Sequence, residues 1–275
     1  MGYAPGIYDG VSNADYHRDP ALGSTSLKTL ATKTPAHWLY DSTHPKTSKT
    51  SDAFNLGTAA HSLILEDDIS AFEVVDAANW LTKDAKTAKA EALTAGRVPL
   101  LTKEFEQVKA MRDAVMAHPL AKTALTGHKA EYSAFWQHES GTMLKTRPDA
   151  MHDDGPLGNL IVDLKTCASA APNEFGRTAH QFGYHIQQAH YQAGLKAVTG
   201  EDFDFLFVLV EKQAPYLVSV VELDAEDVAR GAELAERGIR IYNECQASGK
   251  WPGYESTQPI SLPQWARYKE EELTA

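Results

Sequence analysis

The chain is short of cysteine, of long apolar runs and of positive charge, and each shortage removes a class of function. Only two cysteines occur in 275 residues, Cys167 and Cys245, far apart and in different predicted elements. Two thiols supply neither a disulfide framework nor a four-cysteine zinc or iron–sulfur site, which fits a reducing cytoplasm. No stretch reaches the roughly 18 apolar residues of a spanning helix, so no membrane partner is expected. The start, Met1-Gly2-Tyr3-Ala4-Pro5-Gly6, has no basic patch followed by an apolar core, so no secretory signal is expected either. A G-x-x-x-x-G-K-[ST] loop is missing, which excludes the NTPase form of phosphate chemistry. The net charge is −11. That argues against gripping nucleic acid by overall surface charge. It leaves room for a nucleic-acid enzyme whose acidic site is neutralised by divalent metal and whose basic groups are local.

What is present, about 43% apolar residues, suffices for one substantial core, as one large domain or one with a helical annex. Residues 1–25 are turn-rich, carry Tyr3, Tyr8 and Tyr16, and read as a surface wrap. Ser24–Leu30 reads as a capped helix start, and Thr34–Tyr40 opens a second helix with Pro35 where a missing N–H costs little. The Lys/Ser/Thr-rich stretch 45–52 reads as a solvated linker or a DNA-facing loop. Together with Lys28 and Lys33, its Lys46 and Lys49 make this region locally basic. Ala53–Glu66 reads as a helix with small residues at Gly57, Ala59 and Ala60. Its His61 sits among apolar neighbours, where a lone histidine is first of all a satisfied core residue. Residues 76–96 and 102–118 read as scaffold helices ended by Gly96 and Pro119.

From Lys129 the period changes to that of strands. Glu131–Trp136, Met143–Arg147 and 160–166 are expected to form an antiparallel meander. A helix starts at Pro172, and a longer one places Tyr184, Gln187 and Tyr191 on one stripe. Phe203–Val210 reads as a buried strand with Tyr216–Leu223 beside it. Asp224 begins a last amphipathic helix ending near Gly249, and the acidic tail is expected to fray. The sum is an α+β (or α/β) chain with one mixed sheet. Its mainly helical part is 1–128, its core 129–248 and its tail 249–275, all counted as one domain, 1–275.

The centre of the pattern is Lys145–Thr166, which reads as two strands joined by a hairpin whose turn is His152–Asn159. Period-2 geometry puts Asp163 and Lys165 on one face of the second strand and Val162 and Leu164 on the other. A carboxylate and an ammonium in a strand otherwise written Ile-Val-Asp-Leu-Lys are expensive to desolvate. They persist when paired with each other or with a metal and a substrate. Asp149, at the end of the partner strand, is the third member. Carboxylate oxygens suit Mg²⁺ or Mn²⁺, one ion or two, and an adjacent lysine orients water or balances phosphorane charge. The bland alternative is a structural Asp–Lys pair on an exposed edge, which fits poorly with so apolar a strand.

Pro148-Asp149, thirteen residues, then Asp163-Leu164-Lys165 resembles the signature of the PD-(D/E)XK nucleases. Gly57–His61 through Glu66, Glu131-Tyr132-Ser133, Arg147-Pro148-Asp149, Val162–Thr166 and Gln187-x-x-x-Tyr191 occur in the order of the phage exonuclease VIII (RecE-type) group. That group is kin to the RecB nuclease domain, and the likeness spans roughly residues 20–245. The resemblance implies a restriction-endonuclease-like α/β/α core with a central mixed sheet and a helical N-terminal part. It implies metal ligation by His61, Asp149, Asp163 and the Leu164 carbonyl. Lys165 would be the catalytic lysine, and Gln187 and Tyr191 would flank the site, touching DNA phosphates or supporting Lys165. Glu66 and Glu131 are weaker candidates, as outer acids of the site or as structural ones.

The implied activity is 5′→3′ degradation of linear double-stranded DNA in the cytoplasm, feeding a RecT-type single-strand annealing protein in phage recombination. The resemblance also implies a ring-like homo-oligomer, a tetramer being one form. Lys28, Lys33, Lys46, Lys49, Lys145 and Arg147 would then have to line its channel. A structure-specific or restriction-like endonuclease, a silent DNA-binding module of the same fold and a small-phosphoester hydrolase remain as alternatives.

Overall fold

A computed structural model describes residues 2–44, 52–254, 256–257 and 259–274. In chain order the elements are β1 (Gly6–Tyr8), α1 (Asn13–Arg18), α2 (Ser24–Thr32), α3 (Pro35–Thr43), α4 (Asp52–His61), β2 (Phe72–Val75), α5 (Lys83–Thr94) and β3 (Val98–Leu101). There follow α6 (Thr102–Ala117), α7 (Pro119–Ala124), β4 (Lys129–Ala130), β5 (Ser133–Gln137), β6 (Met143–Thr146), β7 (Ala150–His152) and β8 (Leu160–Cys167). The chain continues through α8 (Pro172–Phe182), α9 (Tyr184–Thr199), β9 (Asp204–Glu211), β10 (Val218–Val221), α10 (Ala225–Ser248) and α11 (Gln264–Thr274).

The central sheet has the strand order β10-β9-β8-β7-β4 and is mixed: β8 and β9 run parallel, and the other pairs are antiparallel. Strand alternation sorts its side chains to two faces. Val162, Leu164, Val208 and Val210 pack against Val108, Met111 and Val115 of α6. Ile161, Phe205, Phe207 and Leu209 pack against Phe175 and Ala179 of α8 and Leu195 of α9. Helices on both faces of a mixed sheet make the α/β/α arrangement anticipated from the sequence.

A third cluster joins α2 and α10 to β5, β6 and α9 through Leu27, Leu30, Trp136, Leu144, Ile186 and Ile239. Two glycines of α10 make that packing close. A Cβ at Gly231 would stand 2.2 Å from the His185 carbonyl oxygen, and one at Gly238 2.7 Å from that of Leu27. Glycine there lets α10 lie backbone to backbone on α9 and α2, which fixes where α9 carries its polar stripe.

Several expectations need correction. The strand expected through Lys145–Met151 is broken: β6 belongs to a separate sheet, β1-β5-β6, and β7 to the central one. Pro148 has no N–H to donate to a ladder, and the Asp149 carbonyl accepts from Glu131 N–H instead. The strand expected from Glu131 is also interrupted, because Glu131 adopts a left-handed φ of 54°. The meander does not extend to residues 160–166, since β8 pairs with β7 and β9. Residues 1–25 hold more regular structure than their turn-rich sequence suggests. They supply β1, which pairs with β5, and α1, and Tyr3 stacks on Phe135 at 4.6 Å. The first scaffold helix begins only at Lys83, and β2 and β3 form a short parallel pair around it. The tail carries α11 rather than fraying. The loop expected at 45–52 falls almost wholly outside the described residues.

Candidate functional site

β7 accompanies β8 only from Leu160 to Val162. Beyond that point the edge of β8 is vacated, and the break at Arg147-Pro148-Asp149 fills it with a side chain. Asp149 Oδ2 accepts the Leu164 N–H at 2.7 Å. His61 Nδ1 stands 3.6 Å from the same oxygen, and its ring also meets the Leu164 carbonyl. The imidazole comes from the end of α4, where the helix passes into a single π-turn, Ser62–Glu66. Leu63, Ile64 and Leu65 of that turn are buried. Burial, aided by the charge on Lys165, lowers the His61 pKa to about 4, so the ring is neutral with a lone pair to give.

On the other face of β8, Asp163 is fully buried and ion-paired with Lys165. Gln187 of α9 bridges the pair: its Nε2 donates to Asp163 Oδ1 at 2.8 Å and its Oε1 accepts from Lys165 Nζ at 3.3 Å. Asp163 Oδ2 lies directly against the ammonium. Tyr191 sits one turn along α9, hydrogen-bonded to Gln187. Burial raises the Asp163 carboxyl to about 6 against the opposing pull of Lys165, with Asp149 adding to the rise. Burial raises Asp149 as well, against the opposing pull of Lys165. Burial works against the Lys165 charge, but Asp163 and Asp149 outweigh it and hold its pKa above the ordinary lysine value.

His61 lines a cleft of about 790 Å³, walled on its own side by Gly57, Thr58 and Glu66. Asp9, Gly10, Val11, Glu131 and Arg147 form the other. A second opening of about 200 Å³ lies where Ser24, Thr25 and Lys28 of α2 face Tyr184, Gln187 and Tyr191. Burial, with the neighbouring Asp149 charge, raises Glu131 to about 8. The N-terminal wall had no signal in the sequence, and Arg147 had one only as a motif neighbour and a basic residue. Arg147 Nη2 donates to Val11 O and its Nε to Ser133 Oγ, both at 2.8 Å, which straps residues 9–13 to the cleft. Tyr184 was legible as a member of the stripe but not as a neighbour of the lysine.

The structure thus gathers His61, Asp149, Asp163, Leu164, Lys165, Gln187 and Tyr191 around one stretch of β8. Glu66 and Glu131 stand on the cleft wall. Two basic residues expected to line a DNA channel do something else. The Lys145 ammonium is buried and donates to the carbonyls of Tyr16 and Asp19, and Arg147 is held by Val11 and Ser133. Lys28 donates to Phe182 O. Lys46 and Lys49 lie outside the described residues.

The donor chemistry suits a hard divalent cation: two carboxylates, a neutral imidazole and a backbone carbonyl. Among the described residues no three His, Cys, Asp or Glu side chains yet stand close enough together to hold an ion. Asp163 is turned to Lys165 and Gln187, and Asp149 to Leu164 N–H.

Residues 23–261 match the family described as a PDDEXK-like domain of unknown function (DUF3799). No curated protein matches the chain. Among solved structures, a provisionally named exonuclease from Eubacterium rectale superposes with a TM-score of 0.61 at 16% identity, over 92% of this chain and 97% of that one. A phage-related exonuclease from Haemophilus somnus gives a TM-score of 0.35 at 13% identity, over 84% and 96%.

Proposed function

The chain belongs to this family of PDDEXK-like domains, within the PD-(D/E)XK nuclease superfamily, and from that premise we propose that it is a metal-dependent exodeoxyribonuclease acting on linear double-stranded DNA. The observation that carries the reading is the buried Asp163–Lys165 pair bridged by Gln187, on the strand whose vacated edge holds Asp149 and His61. Burying an ion pair to this depth contributes little to stability by itself, so a chemical role accounts for it better than a structural one.

His61, Asp149, Asp163 and the Leu164 carbonyl would hold Mg²⁺ or Mn²⁺, as one ion or two. Such an ion lowers the pKa of bound water and steadies charge on the phosphate. Lys165, kept protonated by two carboxylates, has one N–H directed to Gln187 and one side against Asp163. Its remaining N–H would be free to reach the attacking water or a phosphate oxygen, orienting the one and balancing charge on the other. Gln187 keeps Asp163 and Lys165 in register, and Tyr191 fixes Gln187. His61 stays neutral down to about pH 4 and so donates a lone pair at any ordinary pH.

The polarity we propose is 5′→3′, with the exposed single strand passing to a RecT-type annealing protein and the nuclease working as a ring-like homo-oligomer. These finer features follow the resemblance to the exonuclease VIII group. The exonuclease name of the Eubacterium rectale protein, which shares the fold, supports only the coarser reading of a nuclease that acts from DNA ends. With Lys145 and Arg147 engaged inside the protein, DNA contact falls to the cleft rim, to bound cations and to α2.

The test uses linear duplex DNA labelled at one 5′ end beside a covalently closed circle, with Mg²⁺ and with EDTA. Loss of the linear form alone, with metal alone, is the expected result, and the order of label release reads the polarity. Cleavage of the circle would replace the exonuclease by an endonuclease. No cleavage of either would remove the nuclease reading.

A further inference from the structure

The Lys165 ammonium has an aromatic neighbour as well as its two polar ones. Its Nζ lies 4.6 Å from the centroid of the Tyr184 ring. We propose that Tyr184 is a positioning residue: the face of its ring, not its hydroxyl, holds Lys165 in register between Asp163 and Gln187. The inference rests on the nuclease reading above and gives that reading a component the motif residues do not include.

An ammonium has three N–H donors and no acceptor. One is directed to Gln187 Oε1 and one side faces Asp163. A further oxygen would consume the last donor. The quadrupole of a ring attracts the cation without taking a directed N–H, so the third donor stays available to water or a phosphate oxygen.

The ring is itself fixed. Tyr184 is the first residue of α9, directly after Gly183 in the left-handed conformation. It stacks on Phe182 at 5.7 Å and Phe175 at 6.0 Å, and Phe207 lies 5.9 Å away. Its hydroxyl makes no hydrogen bond among the described residues. Lys165 is therefore set on three sides by groups from two elements, β8 and the first turn of α9.

Tyr184→Phe, Tyr184→Leu and Tyr184→Met are compared with wild type on linear duplex DNA with Mg²⁺. Positioning by the ring face predicts that the phenylalanine variant keeps kcat within about twofold. It also predicts that leucine and methionine lose roughly ten- to thirtyfold in kcat with KM unchanged. Methionine serves if the branched leucine fails to fold. A phenylalanine variant as impaired as leucine would put the role on the hydroxyl and overturn the inference. So would full kcat in leucine or methionine. A second measurement needs no activity: in ¹³C-lysine-labelled protein the Lys165 methylene protons, assigned with Lys165→Met, are shifted upfield by the ring. That shift persists in Tyr184→Phe and vanishes in Tyr184→Leu. If the wild type cleaves nothing, the nuclease reading falls. The methylene shift then decides the contact by itself, and a shift unchanged in Tyr184→Leu overturns it.

Discussion

Asp149 Oδ2 accepts the backbone N–H of Leu164 at 2.7 Å, so a carboxylate stands where the next residue of strand β7 would have closed the ladder. The bond is both a structural cap on an orphaned donor and the means by which the carboxylate is aimed. The two duties separate by substitution. Asp149→Asn retains an oxygen for the Leu164 N–H and loses the charge. We expect DNA degradation to fall by roughly a hundredfold or more with the urea midpoint almost unchanged. Asp149→Ala should lose the same activity and, with a buried N–H left unpaired, about 1–3 kcal/mol of stability. Equal stability of the two variants would show that the cap carries no weight.

The Asp163–Lys165 pair makes the opposite kind of prediction. Removing either partner leaves an uncompensated charge in a site where Asp163 is fully buried. Asp163→Asn or Lys165→Met alone should therefore each abolish activity and cost roughly 3–5 kcal/mol. The double variant should regain most of that stability while staying inactive. A double-mutant cycle by urea denaturation reads the coupling, and additive losses would contradict it.

The sequence discloses this pair because alternation is a local property: two residues apart on a strand is one face, whatever the strand joins. It discloses the helices of the second half for the same reason, since Pro172, Gly249 and the stripe Tyr184–Gln187–Tyr191 act within a few residues of themselves. The break between β6 and β7 is non-local. Met143–Arg147 reads as a strand that runs on to Met151, and only the competing partners, β5 on one side and β8 on the other, show that the chain changes sheets at Pro148. The engagement of Lys145 and Arg147 inside the protein was hidden for the same reason. A sequence displays their charge but not the carbonyls of Tyr16, Asp19 and Val11 that satisfy it. β1, β2 and β3 are three or four residues long, too short for a period to stand out.

Glu131 gives a pH dependence. Its carboxyl is raised to about 8 in the folded chain, so it binds its proton more tightly there than when unfolded. Between the ordinary carboxylate range and about pH 8 the folded state holds the extra proton, and stability falls as pH rises through that window. In EDTA, Glu131→Gln should lose less stability than wild type between pH 5 and pH 8.5. Parallel curves of urea midpoint against pH for the two proteins would refute the assignment.

Gly231 predicts a purely structural effect with a functional echo. A Cβ there meets the His185 carbonyl and the Ile186 N–H at the start of the helix that carries Gln187. Gly231→Ala should destabilise by about 1–3 kcal/mol through overpacking and lower kcat by displacing Gln187. A melting temperature equal to wild type would show that α10 can retreat from α9.

The π-turn at Ser62–Glu66 is in effect a helix with one residue too many. Each residue advances an α-helix by about 100°, so the surplus sets a phase difference between α4 and the apolar anchors Leu63, Ile64 and Leu65. Those anchors are locked in the core, and the imidazole must take whatever angle remains. The aim of His61 is accordingly stored as a count of residues rather than as any particular side chain. A deletion of Ser62 would leave every motif letter intact and turn the histidine away from Asp149.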